Sequence, residues 1–68
     1  MNFWPNPAND IINIEGKYDM IIVRNIEGKI LETVRDINNL DVTNWAAGFY
    51  LLEVEINGKI EFYKISKL

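Results

Sequence analysis

The dipeptide Asn57-Gly58 stands between two runs, Phe49 to Ile56 and Lys59 to Leu68, in which apolar and polar side chains largely alternate. Both central residues of a type I′ turn need positive φ, which asparagine and glycine adopt at least cost, so the pair predicts a two-residue β-hairpin. The register follows: Ile56 faces Lys59, Val54 faces Glu61, Leu52 faces Tyr63 and Tyr50 faces Ile65. One face collects Tyr50, Leu52, Val54, Ile56, Tyr63 and Ile65, and most of it must be core. The other pairs Glu55 with Ile60, Glu53 with Phe62 and Leu51 with Lys64, the mixed composition of a half-exposed face.

The rest of the chain repeats this short-strand pattern. Eleven Ile and nine Asn pair a strong strand former with a strong turn former, and Gly or Asn interrupts the apolar runs throughout. Phe3-Trp4-Pro5-Asn6-Pro7 is extended or turning and belongs on an edge, because each proline removes a donor and keeps its predecessor out of the helical region. Ala8-Asn9-Asp10 turns the chain. Ile11 to Glu15 is a strand with Ile12 and Ile14 inward, closed by Gly16-Lys17. Asp19 to Ile26 is apolar on both faces, as a central strand is, and returns through Glu27-Gly28 into a strand over Lys29 to Arg35. Asp36 to Asn39 is loop, Leu40 to Val42 a short strand, and Thr43 to Ala47 one helical turn capped by Thr43 or Asn44 and ended by Gly48. The expectation is one all-β domain over residues 1–68, a small antiparallel β-sandwich of about seven short strands. An immunoglobulin-like sandwich fits this hairpin-rich pattern better than a closed barrel.

What the composition excludes is equally specific. There is no His and no Cys, so no Ser-His-Asp or Cys-His machinery, no His or Cys zinc site and no disulfide can form; Ser66 is the one serine. A chain of 68 residues buries roughly 60% of its unfolded surface, which leaves little room for a deep catalytic cleft. Seven Lys and Arg in a chain of net charge −3 argue against a nucleic-acid partner. No run approaches the length of a membrane-spanning helix, and the first residues lack the pattern of a signal peptide.

The carboxylates give no firm site. Asp36-Ile37-Asn38 begins like a calcium loop, but Asp41 stands where an EF-hand needs Gly and Ala47 where it needs Glu. A looser oxygen site from Asp36, Asn38 and Asp41 competes with ordinary polar loop chemistry. Glu53, Glu55 and Glu61 on the last hairpin invite comparison with a glycosidase pair, yet a solvated strand face with cross-strand partners Lys59 and Lys64 accounts for them better. Trp4, Trp45, Phe3, Tyr18 and Phe62 are core by default, with Trp4 and Phe62 the first candidates for exposure. Lys59, Lys64 and Lys67 oppose the single Glu61 after the turn, which marks either a docking surface or an edge strand guarded against aggregation.

One order of motifs carries more than these parts. Trp4-Pro5-Asn6-Pro7-Ala8-Asn9-Asp10, an Ile-rich strand, Gly28-Lys29, Leu40-Asp41-Val42 leading to Ala47-Gly48-Phe49-Tyr50, then Asn57-Gly58-Lys59 and a terminal Lys64-Ile65-Ser66-Lys67 run in sequence. The chain closely resembles, over nearly its whole length, the type A C-terminal sorting domain of the Bacteroidota type IX secretion system. Its motif positions fall on Pro5, Asn6, Pro7, Ala8, Gly28, Lys29, Gly48, Tyr50, Gly58, Lys59 and Lys64. Trp4 replaces the family's usual Tyr and Trp45 its commoner Leu, substitutions that bear on packing.

The resemblance implies a seven-stranded immunoglobulin-like sandwich at the C-terminus of a larger exported precursor whose Sec signal lies at the far N-terminus. Met1 is then either native or added. It further implies a protein without catalytic residues, cofactor or metal. Its partners would be the type IX translocon, a sortase that removes the domain, and an N-terminal cargo carried through the periplasm to the outer-membrane surface or beyond. On that view Lys59, Lys64 and Lys67, with main-chain groups of an exposed edge, dock on the translocon. The prolines at the other end of the chain would keep that edge from pairing elsewhere. The alternative is a non-catalytic β-sandwich module whose exposed aromatics bind glycans or a surface.

Overall fold

Short alternating runs separated by turn residues leave each segment one apolar face to bury, and two stacked sheets are the economical way to bury them all. The structure, a computed structural model, describes residues 1–68. It contains β1 (Asn2–Trp4), β2 (Ile11–Glu15), β3 (Met20–Asn25), β4 (Ile30–Val34), β5 (Asn39–Asp41), β6 (Gly48–Ile56) and β7 (Lys59–Lys67). These form an antiparallel three-stranded sheet in the order β1-β2-β5 and an antiparallel four-stranded sheet in the order β4-β3-β6-β7. The expected all-β sandwich is therefore present. Relative to the four-plus-three division of a constant-type immunoglobulin domain, the fourth strand has crossed to the second sheet, beside β3.

The last hairpin adopts the register that its turn dictates, from Ile56 opposite Lys59 to Tyr50 opposite Ile65 and on to Gly48 opposite Lys67. Asn57 at φ 51° and Gly58 at φ 76° supply the left-handed turn. Strand alternation then sends Tyr50, Leu52, Val54 and Ile65 inward, where they meet Ile21 and Val23 of β3 and Ile12, Ile14, Leu40 and Val42 from the other layer. Ala8 completes this core and is wholly buried. Burying each of the larger aliphatic side chains contributes about 1.5–3 kcal/mol. Ile56 and Tyr63 are only partly buried, because they sit toward the hairpin tip and the sheet edge.

The β3–β4 hairpin forms as expected, but through a three-residue loop. Asn25 Oδ1 accepts hydrogen bonds from the Glu27 N–H (3.0 Å) and the Lys29 N–H (2.9 Å), and Gly28 closes the loop at φ 86°. A register shift leaves Leu31 as the extra residue between Val23↔Glu32 and Arg24↔Ile30.

The helical turn expected at Thr43 to Ala47 does not form. A single β-turn stands there, closed by the Trp45 N–H donating to the Val42 carbonyl (3.0 Å). Two local acceptors divert the chain from helix. Asp41 Oδ1 takes the Thr43 N–H at 2.9 Å, and the Ala46 carbonyl accepts the Tyr50 hydroxyl instead of a backbone donor. β5 also begins and ends one residue earlier than its apolar run suggests.

Candidate functional site

Antiparallel pairing points the main-chain groups of alternate residues toward and away from the neighbouring strand. β7 is the edge of its sheet, so the even-numbered residues Ile60, Phe62, Lys64 and Ser66 turn their N–H and C=O groups outward, away from β6. The Lys64 and Ser66 groups identify this direction, because all but the Lys64 N–H meet partners from the N-terminal end of the chain. Those partners are the Pro5-Asn6-Pro7-Ala8 segment, which lies along the edge as a strap.

The strap's chemistry explains its sequence. Pro5 and Pro7 bring no N–H to the edge, and both X-Pro bonds are cis. Asn6 between them presents both ends of its amide. Its Nδ2 donates to the Lys64 carbonyl (3.2 Å), and its Oδ1 accepts from the Ser66 N–H (2.9 Å) and the Ser66 hydroxyl (3.2 Å). Ala8 continues as a one-residue parallel bridge to Lys67. Its N–H donates to the Ser66 carbonyl (2.9 Å) and its own carbonyl accepts from the Leu68 N–H (2.9 Å). Only a small side chain suits the sealed position of Ala8. Upstream, Phe3 packs on Tyr63 with ring centroids 5.0 Å apart. From Ile60 through Phe62 the edge is bare.

The other motif residues have structural tasks that can be read one by one. Gly28 turns the β3–β4 hairpin, and its carbonyl accepts from Arg24 Nη1 (2.9 Å); Lys29 pairs its main-chain N–H with Asn25. Gly48 opens β6 at φ 139°, and Tyr50, two residues on, returns its hydroxyl to Ala46 in the manner of a tyrosine corner. Trp45 lies tilted on the Tyr50 ring at 4.6 Å. The strap, Lys64, Gly48, Tyr50 and the Gly28-Lys29 turn thus share one end of the sandwich, since Tyr50 is paired with both Asn25 and Ile65. Gly58 and Lys59 lie at the far end of β7.

The structure separates several residues that the sequence groups together. Lys64 lies on the outer face of the four-stranded sheet, whereas alternation puts Lys59 and Lys67 on the opposite face. The three lysines line one edge without forming a cluster. Glu53 and Glu55 are on the outer face and Glu61 is not. The cross-strand lysine partners expected for these carboxylates are absent: the one ion pair joins Glu53 to Arg24 of β3 at 3.1 Å. Glu61 instead accepts the Tyr63 hydroxyl at 2.7 Å, and this bond, with some burial and the carboxylate's charge, holds the Tyr63 phenol above its ordinary 10.0. Hydrogen bonds from the Thr43 side chain and backbone hold Asp41 below its ordinary 3.8.

Among the aromatics, Phe3, Tyr18 and Trp45 pack against the core, while Trp4 and Phe62 are more than half exposed. Trp4 lies on the outer face of the three-stranded sheet and Phe62 on that of the four-stranded sheet, so they form no common platform. Phe49 is a further exposed ring, and Lys64 Nζ stands 4.3 Å from its centroid. The register places Phe49 diagonal to Lys64, which was the available sequence signal.

The site thus defines a small immunoglobulin-like β-sandwich in which Asn6 and Ala8 bind the N-terminal segment to the outer edge of β7. The family model of the secretion system C-terminal sorting domain matches residues 2–67, and the chain belongs to that family, the sorting domains of type IX secretion. No curated protein and no solved structure matches it significantly.

Proposed function

We propose that residues 1–68 act as one C-terminal sorting domain, attached behind a cargo protein that they carry across the outer membrane through the type IX translocon. The domain folds in the periplasm, docks by the outer edge of β7, and is removed by a sortase at the cell surface, leaving the cargo there or in the medium. It contributes recognition and no chemistry. The observation that carries the docking step is the bare stretch of β7, where Ile60 and Phe62 turn unpaired main-chain groups and exposed side chains outward. Lys59 flanks this stretch at the hairpin tip, and Lys64 and Lys67 flank it on the strap side. The family match supports the transport role. The glycan-binding alternative gains no support, because Trp4 and Phe62 lie on opposite faces of the molecule.

The test is a folded periplasmic reporter fused to residues 1–68 in which Lys59, Lys64 and Lys67 are changed together to Gln. The charges are exposed or half-exposed and make no ion pair, so the domain stays folded while export falls. A folded triple variant exported as well as its parent would remove the lysines from the docking step.

A further inference from the structure

The edge that the proposed function assigns to docking is half covered by the chain itself. Asn6 and Ala8 take the Lys64 carbonyl, both main-chain groups of Ser66 and the Leu68 N–H, and leave Ile60, Phe62 and the Lys64 N–H free. A strand partner that uses only the free part meets two residues' outward groups and the Lys64 N–H, while strands in sheets ordinarily run about 5–6 residues. Lengthening the ladder past Lys64 brings the partner onto the bonds that the strap now holds.

We infer that the strap is an exchangeable sheath: an extended segment of the partner adds to β7 at Ile60–Phe62 and then takes over the hydrogen bonds of Asn6 and Ala8. This rests on the docking reading above. The strap defines the incoming segment's chemistry by example. Ala8 pairs parallel to β7, so the replacement runs parallel there, with a side chain no larger than alanine where Ala8 is sealed. On the outer face it presents apolar side chains beside Ile60 and Phe62 and a carboxylate beside Lys64. The strap is suited to exchange because the Asn6 bonds are all solvent-exposed and the prolines contribute no donors of their own. Its place at the N-terminal end, where cargo is attached, couples the cargo junction to the state of the docking edge.

The chain has no cysteine, so a double substitution, Ala8→Cys with Lys67→Cys, gives one unambiguous crosslink between residues that are direct bridge partners. In the reporter fusion, the oxidised double variant is expected to stay in the periplasm, while the same double variant kept reduced is exported at the level of Lys67→Cys alone, so that any loss from the Lys67 charge is common to both arms. Export of the crosslinked form at the level of the reduced form would overturn the sheath. Retention of the parent fusion as well would overturn the docking reading and the sheath with it. Asn6→Ala supplies an independent arm if the cysteine pair does not fold. The sheath predicts export equal to or above the parent's despite a less stable domain, and loss of export by folded Asn6→Ala protein would overturn it.

Discussion

Asn6 and Ser66, sixty positions apart, are joined by two hydrogen bonds, the Asn6 Oδ1 accepting from the Ser66 N–H at 2.9 Å and from its hydroxyl at 3.2 Å. With the Asn6 amide also donating to the Lys64 carbonyl, one side chain fastens the start of the chain to its last strand. The Pro-Asn-Pro-Ala motif is therefore a statement about β7 as much as about the N-terminus.

Replacing Asn6 by Ala removes three exposed hydrogen bonds and should destabilise the domain by about 1–3 kcal/mol. For a domain of this size that lowers Tm by roughly 4–8 °C per kcal/mol. Hydrogen exchange should speed up at the Ser66 and Leu68 amides before it does at β6. An unchanged Tm with unchanged exchange would mean that the strap does not hold β7.

Gly58→Val tests the hairpin turn. Gly58 sits at φ 76° with nothing near the position of a Cβ, so the penalty is conformational rather than a clash. A β-branched residue at positive φ should cost about 1–3 kcal/mol. Thermal unfolding indistinguishable from the parent would contradict the type I′ assignment.

Tyr50→Phe keeps the buried ring and deletes the hydroxyl that Ala46 accepts. A loss of about 1 kcal/mol is expected, whereas Leu52→Ala, in the middle of the core, should cost about 2–5 kcal/mol. Chemical denaturation orders the two, and a Tyr50→Phe effect as large as that of Leu52→Ala would show that the hydroxyl does more than close the corner.

Two ionisable groups give opposite pH signatures. Asp41 is held below 3.8 when folded, so its contribution is present above the unfolded value and is lost as pH falls through the depressed folded one. Tyr63 is held above 10.0, so its contribution is present below that value and is lost as pH rises through the raised folded one. Glu61→Gln should bring the Tyr63 titration, followed by phenolate absorbance, back toward its ordinary position. A Tyr63 titration unmoved by that change would remove Glu61 as its cause.

The hairpin was legible in the sequence because a two-residue turn fixes every pair that follows it; the register from Ile56–Lys59 to Tyr50–Ile65 needs no tertiary information. Ile12 and Ile14 were legible by alternation for the same local reason, whereas β3 is apolar on both faces and only the fold selects Ile21 and Val23 as its inner pair. The turn at Thr43 was misread because its competitors act from a side chain: Asp41 captures the Thr43 N–H, and Tyr50 takes the Ala46 carbonyl. The strap's seat on β7 was illegible, since it depends on contacts between Asn6 and Ser66 that no local period reports. The Pro-Asn-Pro-Ala pattern marked the segment, and only the fold shows what Asn6 touches. Sequence grouped the lysines by proximity along the chain, while strand alternation assigns them to two faces.

Sorting itself is read from the partition of a folded reporter, fused ahead of residues 1–68, between the periplasm and the exterior of a bacterium with a functional type IX system and of the same strain lacking its translocon. The predicted result is reporter outside the first strain and confined to the periplasm of the second. A stable, folded fusion that remains periplasmic in both, or escapes equally from both, would contradict the assignment of this domain as a sorting signal.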